Sequence, residues 1–289
     1  VARGVLNKWV FWVYMNSYGI TTPRVFGLFD PEFGYTPERE PLRSVEDFRR
    51  VIDRNNLTEF VIKPASGAKG FDVTVIVERR GDTFIAGDGR EYDFAGIREI
   101  CLKAFRSGQP LEREGIVLQE RVHQHDMLSR INPHCTNTMR VVTFVNNQGE
   151  IEILMTLMKF GRGRAMVDNV KQGAFLVDVA EDGTLGPGMI EHPGRIEWLE
   201  KHPDTGAQIV GEKLPFYHEA IALARAAQRR LPQLRSLGFD TAITNQGPTI
   251  IEGNAWWSAY PQLPMRRGLI SEGMREVLDQ IMPRNNRQR

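Results

Sequence analysis

Gly238-Phe239-Asp240-Thr241-Ala242-Ile243-Thr244-Asn245-Gln246-Gly247-Pro248-Thr249-Ile250-Ile251-Glu252-Gly253-Asn254 is the stretch on which the fold turns. Two short runs rich in Ile and Thr flank Asn245-Gln246-Gly247, a three-residue hairpin loop with Gly at the position that needs positive φ. With the turn centred on Gln246, Thr244 faces Pro248 and Asp240 faces Glu252. Side chains alternate along a strand, so Asn254 projects on the same side as Glu252. Two directly opposed carboxylates repel each other. A cation between them reverses the sign, and hard divalent cations take oxygen ligands. The stretch reads either as a magnesium clamp of Asp240, Glu252 and Asn254 or as a solvated hairpin face. Pro248 leaves the register open, because a one-residue slip sets Gly253 opposite Asp240.

Upstream of the hairpin the chain alternates strands and helices. Residues 7–18 predict a helix with Asn7 as N-cap and Gly19 as its stop. It is apolar almost all round and so expected to be buried, which leaves Lys8 either snorkelling from the helix end or reaching a polar cleft. Ser44-Val45-Glu46-Asp47 predicts a capping box that opens a helix to about Arg54. Glu59 to Pro64 reads as a strand carrying Lys63 at its end. Ala65-Ser66-Gly67-Ala68-Lys69-Gly70 follows as a small-residue loop, and Asp72 to Val77 as a second strand. Such a loop can lay backbone N–H groups over a phosphate, although the Gly-Lys-Ser/Thr step of a P-loop is missing. A buried lysine beside it calls for an anion.

Phe94 to Arg106 predicts an amphipathic helix, and Gly115 to Val122 a strand that turns polar towards His123. His123, His125, His134 and Cys135 match no standard zinc spacing. Thr138–Val145 and Ile151–Phe160 form a second hairpin across Asn146-Asn147-Gln148-Gly149, with Arg140 alternating among apolar neighbours. Lys159, Arg162 and Arg164 end it in a glycine-spaced loop expected to be mobile. Asp168 to Gly173 leads into a strand over Ala174–Val179, and Phe216–Leu231 predicts an Ala-rich helix packed behind the first hairpin. Trp256, Trp257, Tyr260 and Pro261 come after that hairpin, suited either to packing or to substrate contact.

Composition narrows the function classes. Lys+Arg 37 against Asp+Glu 36 leaves no field for a nucleic-acid or membrane surface. Two cysteines make no disulfide framework, and reduced cytoplasmic thiols are the expectation. The longest apolar run, Trp9 to Met15, is too short to span a bilayer, and no signal peptide is read. A chain of 289 residues with 41% hydrophobic content suffices for two modest domains or one two-lobed one.

Six of these pieces stand in an order that resembles the ATP-grasp superfamily. Asn7-Lys8 with Gly19-Ile20 and Pro23 is similar to its opening lysine motif. Phe60 to Pro64 with Ser66 to Gly70 resembles its second lysine and glycine-rich flap. Leu118-Gln119-Glu120-Arg121-Val122 with Asp126 resembles the hinge that holds adenine and the ribose hydroxyls. Arg140, Lys159, Asn169 and Gly173 are similar to the reaction-centre positions of glutamate-adding carboxylate–amine ligases. Asp240 with Glu252-Gly253-Asn254 looks like the magnesium triad. The wording Asn137 to Thr143 and Ile251 to Ser258 is most similar to the sugar-transfer-associated branch.

The resemblance implies an α+β fold of two lobes clasping ATP and Mg2+. Residues 1–118 would hold the first helix and flap, and 119–289 the hinge and metal triad. Lys8, Lys63, Ser66, Gly67, Gly70, Gln119, Glu120, Val122 and Asp126 would bind nucleotide. Arg140, Lys159, Arg162, Arg164 and Asn169 would serve the reaction. The superfamily's N-terminal Rossmann-like domain is expected to be absent or trimmed, so a homodimer or partner protein would supply the missing lobe. The arginine that some members place just before the metal aspartate is replaced by Gly238-Phe239, leaving Arg140, Arg162 or Arg164 for that work. The implied reaction joins a small-molecule carboxylate to an amine through an acyl phosphate, in a polysaccharide or natural-product pathway. A kinase on the same fold and a nucleotide-binding protein without chemistry are the competing readings.

Overall fold

The Ser44 hydroxyl accepts the Asp47 N–H while the Asp47 carboxylate accepts the Ser44 N–H, and this reciprocal cap starts a helix without help from distant residues. The computed structural model describes residues 1–67, 72–107, 113–163, 165–259, 262–266 and 268–281. Within them the chain builds two antiparallel sheets. The first has six strands: β1 (Val25–Phe29), β2 (Phe60–Pro64), β3 (Thr74–Arg80), β4 (Thr83–Ala86), β5 (Glu91–Tyr92) and β6 (Ile116–Gln119), in the order β1-β6-β2-β3-β4-β5. Two helices, α3 (Val45–Arg54) and α4 (Phe94–Ser107), share its core, where Phe29 packs on Phe48, and Phe84 lies edge-on to Phe60 and Phe94.

The second sheet has seven strands: β7 (Thr138–Val145), β8 (Ile151–Phe160), β9 (Phe175–Val179), β10 (Leu185–His192), β11 (Arg195–Leu199), β12 (Ser236–Thr244) and β13 (Gly247–Asn254). Their order is β11-β10-β9-β8-β7-β12-β13. Helix α6 (Tyr217–Arg229) buries Ala220, Ala224 and Ala227 against it, behind the β12–β13 hairpin as its alanine content leads one to expect. Short helices α5 (Asp126–Ile131), α7 (Gln262–Met265) and α8 (Glu272–Ile281) complete this half. No helix among the described residues is long and apolar enough to cross a membrane.

Helices α1 (Ala2–Leu6) and α2 (Lys8–Ser17) join the two halves. Val5, Phe11 and Met15 enter the core of the second sheet, whereas Trp9 packs with Val25, Ala65 and Val117 of the first. The expectation of an all-round buried α2 needs correction, because Val10 and Val13 are each 45% exposed. The helix bridges two cores that flank it, and its third face meets neither.

Register in the β12–β13 hairpin also differs from the expected one. Thr244 pairs with Gly247 rather than Pro248, across the turn Asn245-Gln246, and Gly247 takes φ +122°. A bulge between Asp240 and Thr241 then takes up one extra residue and restores Asp240 opposite Glu252. Pro248 is tolerated because β13 is an edge strand.

Candidate functional site

Between the two sheets lies a cavity of about 940 Å³, a size suited to a small-molecule ligand. Part of its wall is apolar, contributed by Val61, Val75 and Ile116 of the first sheet and Met166 and Val167 of the second half. Also on the wall, four cations, Lys8, Lys63, Arg140 and Lys159, meet three carboxylates, Asp168, Asp240 and Glu252.

Register places the charged groups. Asp240 of β12 stands opposite Arg140 of β7 on one side and Glu252 of β13 on the other. The Arg140 guanidinium forks onto Asp240, with Nε on Oδ1 and Nη2 2.9 Å from Oδ2. Lys159 Nζ donates to Asp240 Oδ2 at 3.1 Å and lies 3.6 Å from Asp168 Oδ1. Asp168 is held in turn by the Thr138 N–H at 2.7 Å and the Thr138 hydroxyl. Burial alone would raise Asp240, but Arg140 and Lys159 outweigh it and keep the carboxyl well below the usual range. Burial raises the Asp168 carboxyl, and its attraction to Lys159 only partly offsets this. Burial works against the Lys159 charge, yet Asp168 and Asp240 raise its pKa.

Gly238 makes room for this arrangement. A Cβ there would stand 3.2 Å from Arg140 Cδ and 3.0 Å from Trp257 Cβ, so the missing side chain is the space through which Arg140 crosses. Of the two described arginines left open by the sequence, Arg140 is the one the structure brings to Asp240. Arg162 is not on the cavity wall; its Nε is buried without a hydrogen-bond partner. Its loop, expected to be mobile, is tied down at two points: the Gly161 carbonyl accepts from His202 Nε2 at 2.9 Å, and the Gly163 N–H donates to Asp204 at 2.7 Å. Arg164 lies outside the described residues.

Lys63 ends β2 with 7% exposure and has no hydrogen-bond or ion-pair partner among the described residues. Burial first, then the nearby Lys8 charge, lowers its pKa to about 8 against weaker pulls from Glu252 and Asp240. Lys8 reaches the cleft rather than snorkelling: its Nζ donates to the Gly67 carbonyl at 3.2 Å and sits 3.6 Å from Glu252 Oε2. Gly253 permits that approach, since a Cβ there would come within 2.8 Å of Phe11 and 2.9 Å of Val5 and push α1 and α2 off β13.

Glu252 and Asn254 offer side-chain oxygens of the kind a hard cation takes, while both oxygens of Asp240 already accept from Arg140 and Lys159 and would have to be shared with it. Asn254 Nδ2 reaches only to 3.5 Å from Glu252 Oε1, so this contact does not saturate the carboxylate. Asn169 lines the same cavity. Asp168 was given no role in the sequence; an acid just before Asn169 reads as loop polarity until Lys159 is seen against it.

Gln119, Glu120 and Val122 also line the cavity. The Gln119 amide donates to the Pro23 carbonyl at 3.3 Å, the Glu120 carboxylate accepts the Arg24 N–H at 2.9 Å, and the Thr136 hydroxyl donates to the Val122 carbonyl at 2.8 Å. The side chains of Gln119 and Glu120 therefore fasten this strip to residues 23–24. Asp126 is not brought to the cavity; it starts α5 and accepts from Asn245 Nδ2 at 3.0 Å, at the tip of the β12–β13 hairpin. Ser66 and Gly67 line the cleft, while Ala68, Lys69 and Gly70 lie outside the described residues. His125 caps α5, accepting the Met127 N–H at 3.1 Å, and His123 is bound to Glu59.

A family model described as sugar-transfer associated ATP-grasp matches residues 2–278. Among solved structures, the biotin carboxylase–β-γ-ATP complex from Campylobacter jejuni is 9% identical, with a TM-score of 0.55 over 95% of this chain and 45% of its own. An N5-carboxyaminoimidazole synthase from Aspergillus clavatus is 10% identical, with a TM-score of 0.49 over 96% of this chain and 52% of its own. A D-alanine–D-alanine ligase from Bacillus anthracis is 12% identical, with a TM-score of 0.46 over 90% of this chain and 60% of its own. The chain thus spans about half the length of such structures. No curated protein matches the sequence.

Proposed function

Because the chain belongs to the sugar-transfer associated ATP-grasp family, we propose that its cleft binds ATP and catalyses an ADP-forming ligation of a carboxylate to an amine. Lys63 carries the reading: a buried ammonium with no side-chain partner among the described residues, facing a carboxylate pair, is stabilised by an incoming anion. A phosphate ~4 Å from it contributes about 4 kcal/mol at an effective dielectric of 20, before desolvation.

In this reading the base lies against Val61, Val75 and Ile116 beside the strip Gln119–Val122, and the phosphates extend towards Lys8 and Lys63. Asp240, Glu252 and Asn254 would hold a magnesium ion, whose chemistry would be neutralisation of the polyphosphate charge. Arg140 and Lys159, both already anchored on Asp240, place positive charge where the transferred phosphoryl group develops negative charge. The substrate carboxylate oxygen attacks the γ-phosphorus and ADP leaves. The amine nitrogen then attacks the acyl carbon, phosphate departs and the nitrogen loses a proton. Asn169 faces this point and is assigned to positioning the substrates. Arg162 lies off the cavity wall and takes no part in this reading.

The test is ADP release over a panel of amino acids and acidic sugars, with product analysis. An amide with ADP and phosphate is the expected result. A stable phosphoester would replace the ligase by a kinase, and intact bound ATP would leave a binding protein. Lys63→Ala and Glu252→Ala should each abolish substrate-dependent ADP release, and wild-type turnover in either variant refutes the assignment.

A further inference from the structure

Glu114 precedes β6 and does not line the cleft, yet it touches both chain segments that deliver lysines there. Its Oε2 accepts from Asn7 Nδ2 at 2.8 Å and from the Ser66 hydroxyl, while Oε1 accepts from Arg3 at 2.8 Å. Asn7 is the N-cap of α2 and directly precedes Lys8; its own Oδ1 accepts the Val10 N–H at 3.0 Å. Ser66 lies three residues beyond Lys63, and the Lys8 N–H donates to the Ala65 carbonyl between them at 2.7 Å. One carboxylate therefore bolts the start of α2 to the end of β2.

Something must hold those two segments together, because the charges they carry repel. Lys8 and Lys63 point into one cleft, and the Lys8 charge adds to the burial that lowers the Lys63 pKa. Lys8 itself is drawn across the cleft towards Glu252, 3.6 Å away on the other sheet. Burial opposes the Glu114 charge, but bonds from Ser66, Asn7 and Arg3 keep it below the ordinary carboxylate range, so it stays an acceptor at neutral pH.

We infer that Glu114 is a positioning residue: by holding Asn7 and Ser66 together it sets the spacing of the Lys8 and Lys63 ammonium groups for a polyphosphate. The inference rests on the nucleotide reading above and names a residue that the ligand does not touch.

The experiment measures Mg-ATP dissociation constants by calorimetry for wild type, Glu114→Ala, Glu114→Gln and Arg3→Ala, with melting curves for each. Glu114→Ala should bind about tenfold more weakly, since it removes the hydrogen bonds by which the carboxylate holds both Asn7 and Ser66. Glu114→Gln keeps one acceptor oxygen and should fall between, and Arg3→Ala, which trims only an exposed arm, should stay within about twofold of wild type. In the turnover assay the loss should appear in KM for ATP with kcat preserved. A folded Glu114→Ala that melts earlier but binds Mg-ATP like wild type overturns the inference, because that is the signature of a merely structural role. If wild type itself ignores Mg-ATP, the nucleotide reading fails. Inorganic tripolyphosphate then judges the clamp: equal affinity for wild type and Glu114→Ala overturns it, and a weaker variant sustains it.

Discussion

Lys63 and Lys159 are the same residue type, each carried on a strand into the same cleft, one from each sheet. Burial acts on both in the same direction, yet Lys63 falls to about 8 while Lys159 is raised. The difference is where the carboxylates stand: Lys159 lies between Asp168 and Asp240, and Lys63 has another lysine for a neighbour. One sheet brings a cation already neutralised by its own acids. The other brings a cation whose counter-charge must come from outside. A cleft built this way reserves its attraction for an anionic ligand on the first-sheet side and keeps the second-sheet side as a rigid charged floor.

The sharpest way to break this contrast is to remove each lysine in turn and measure stability. Lys159→Met should cost about 3 kcal/mol or more in denaturant unfolding, since it leaves Asp168 buried without its cation. Lys63→Met should do the opposite, stabilising the ligand-free protein by on the order of 1–3 kcal/mol while losing Mg-ATP binding. Equal destabilisation by both would show the two lysines to be alike.

A pH series sharpens the contrast without mutation. The folded-state pKa of Lys63, about 8, lies below its ordinary 10.5, so the unfolded chain binds more protons between those values. The cost of burying the charge is present in full below pH 8 and disappears as pH rises towards the unfolded value, so that wild-type stability should approach that of Lys63→Met. Mg-ATP affinity should move the other way, weakening about tenfold by pH 9 as the ammonium is lost. An affinity flat from pH 7 to pH 9 would place the anion elsewhere.

The smallest effect is expected at Val13 of α2. Val13→Lys should change stability by no more than about 0.5 kcal/mol, because its side chain faces solvent. Phe11→Ala, on the face that meets β13, should cost about 3 kcal/mol or more.

These residues also show how far the sequence could be read. Local rules carried the capping box at Ser44, the hairpin signal around Gly247 and the alternation that isolates Arg140 on β7, since each depends on near neighbours in the chain. The exposed face of α2 was not legible, because what covers a helix is contributed by residues far away in sequence. Asp126 follows the hinge in sequence, but α5 carries it to the tip of a hairpin more than a hundred residues later in the chain.

The sequence by itself determined the types of the elements it predicted and the family motifs whose order implies the α+β fold. The element types follow from periodicity and local turn chemistry, and the motifs from residue order. Only the tertiary structure decided which arginine crosses Gly238 to reach Asp240, that Asp168 shares Lys159, that Lys63 has no side-chain partner among the described residues and that Glu114 joins the two lysine-bearing segments. Those outcomes are set by register between distant strands and by which charges share one buried space, and electrostatic energy depends on distance through space rather than along the chain.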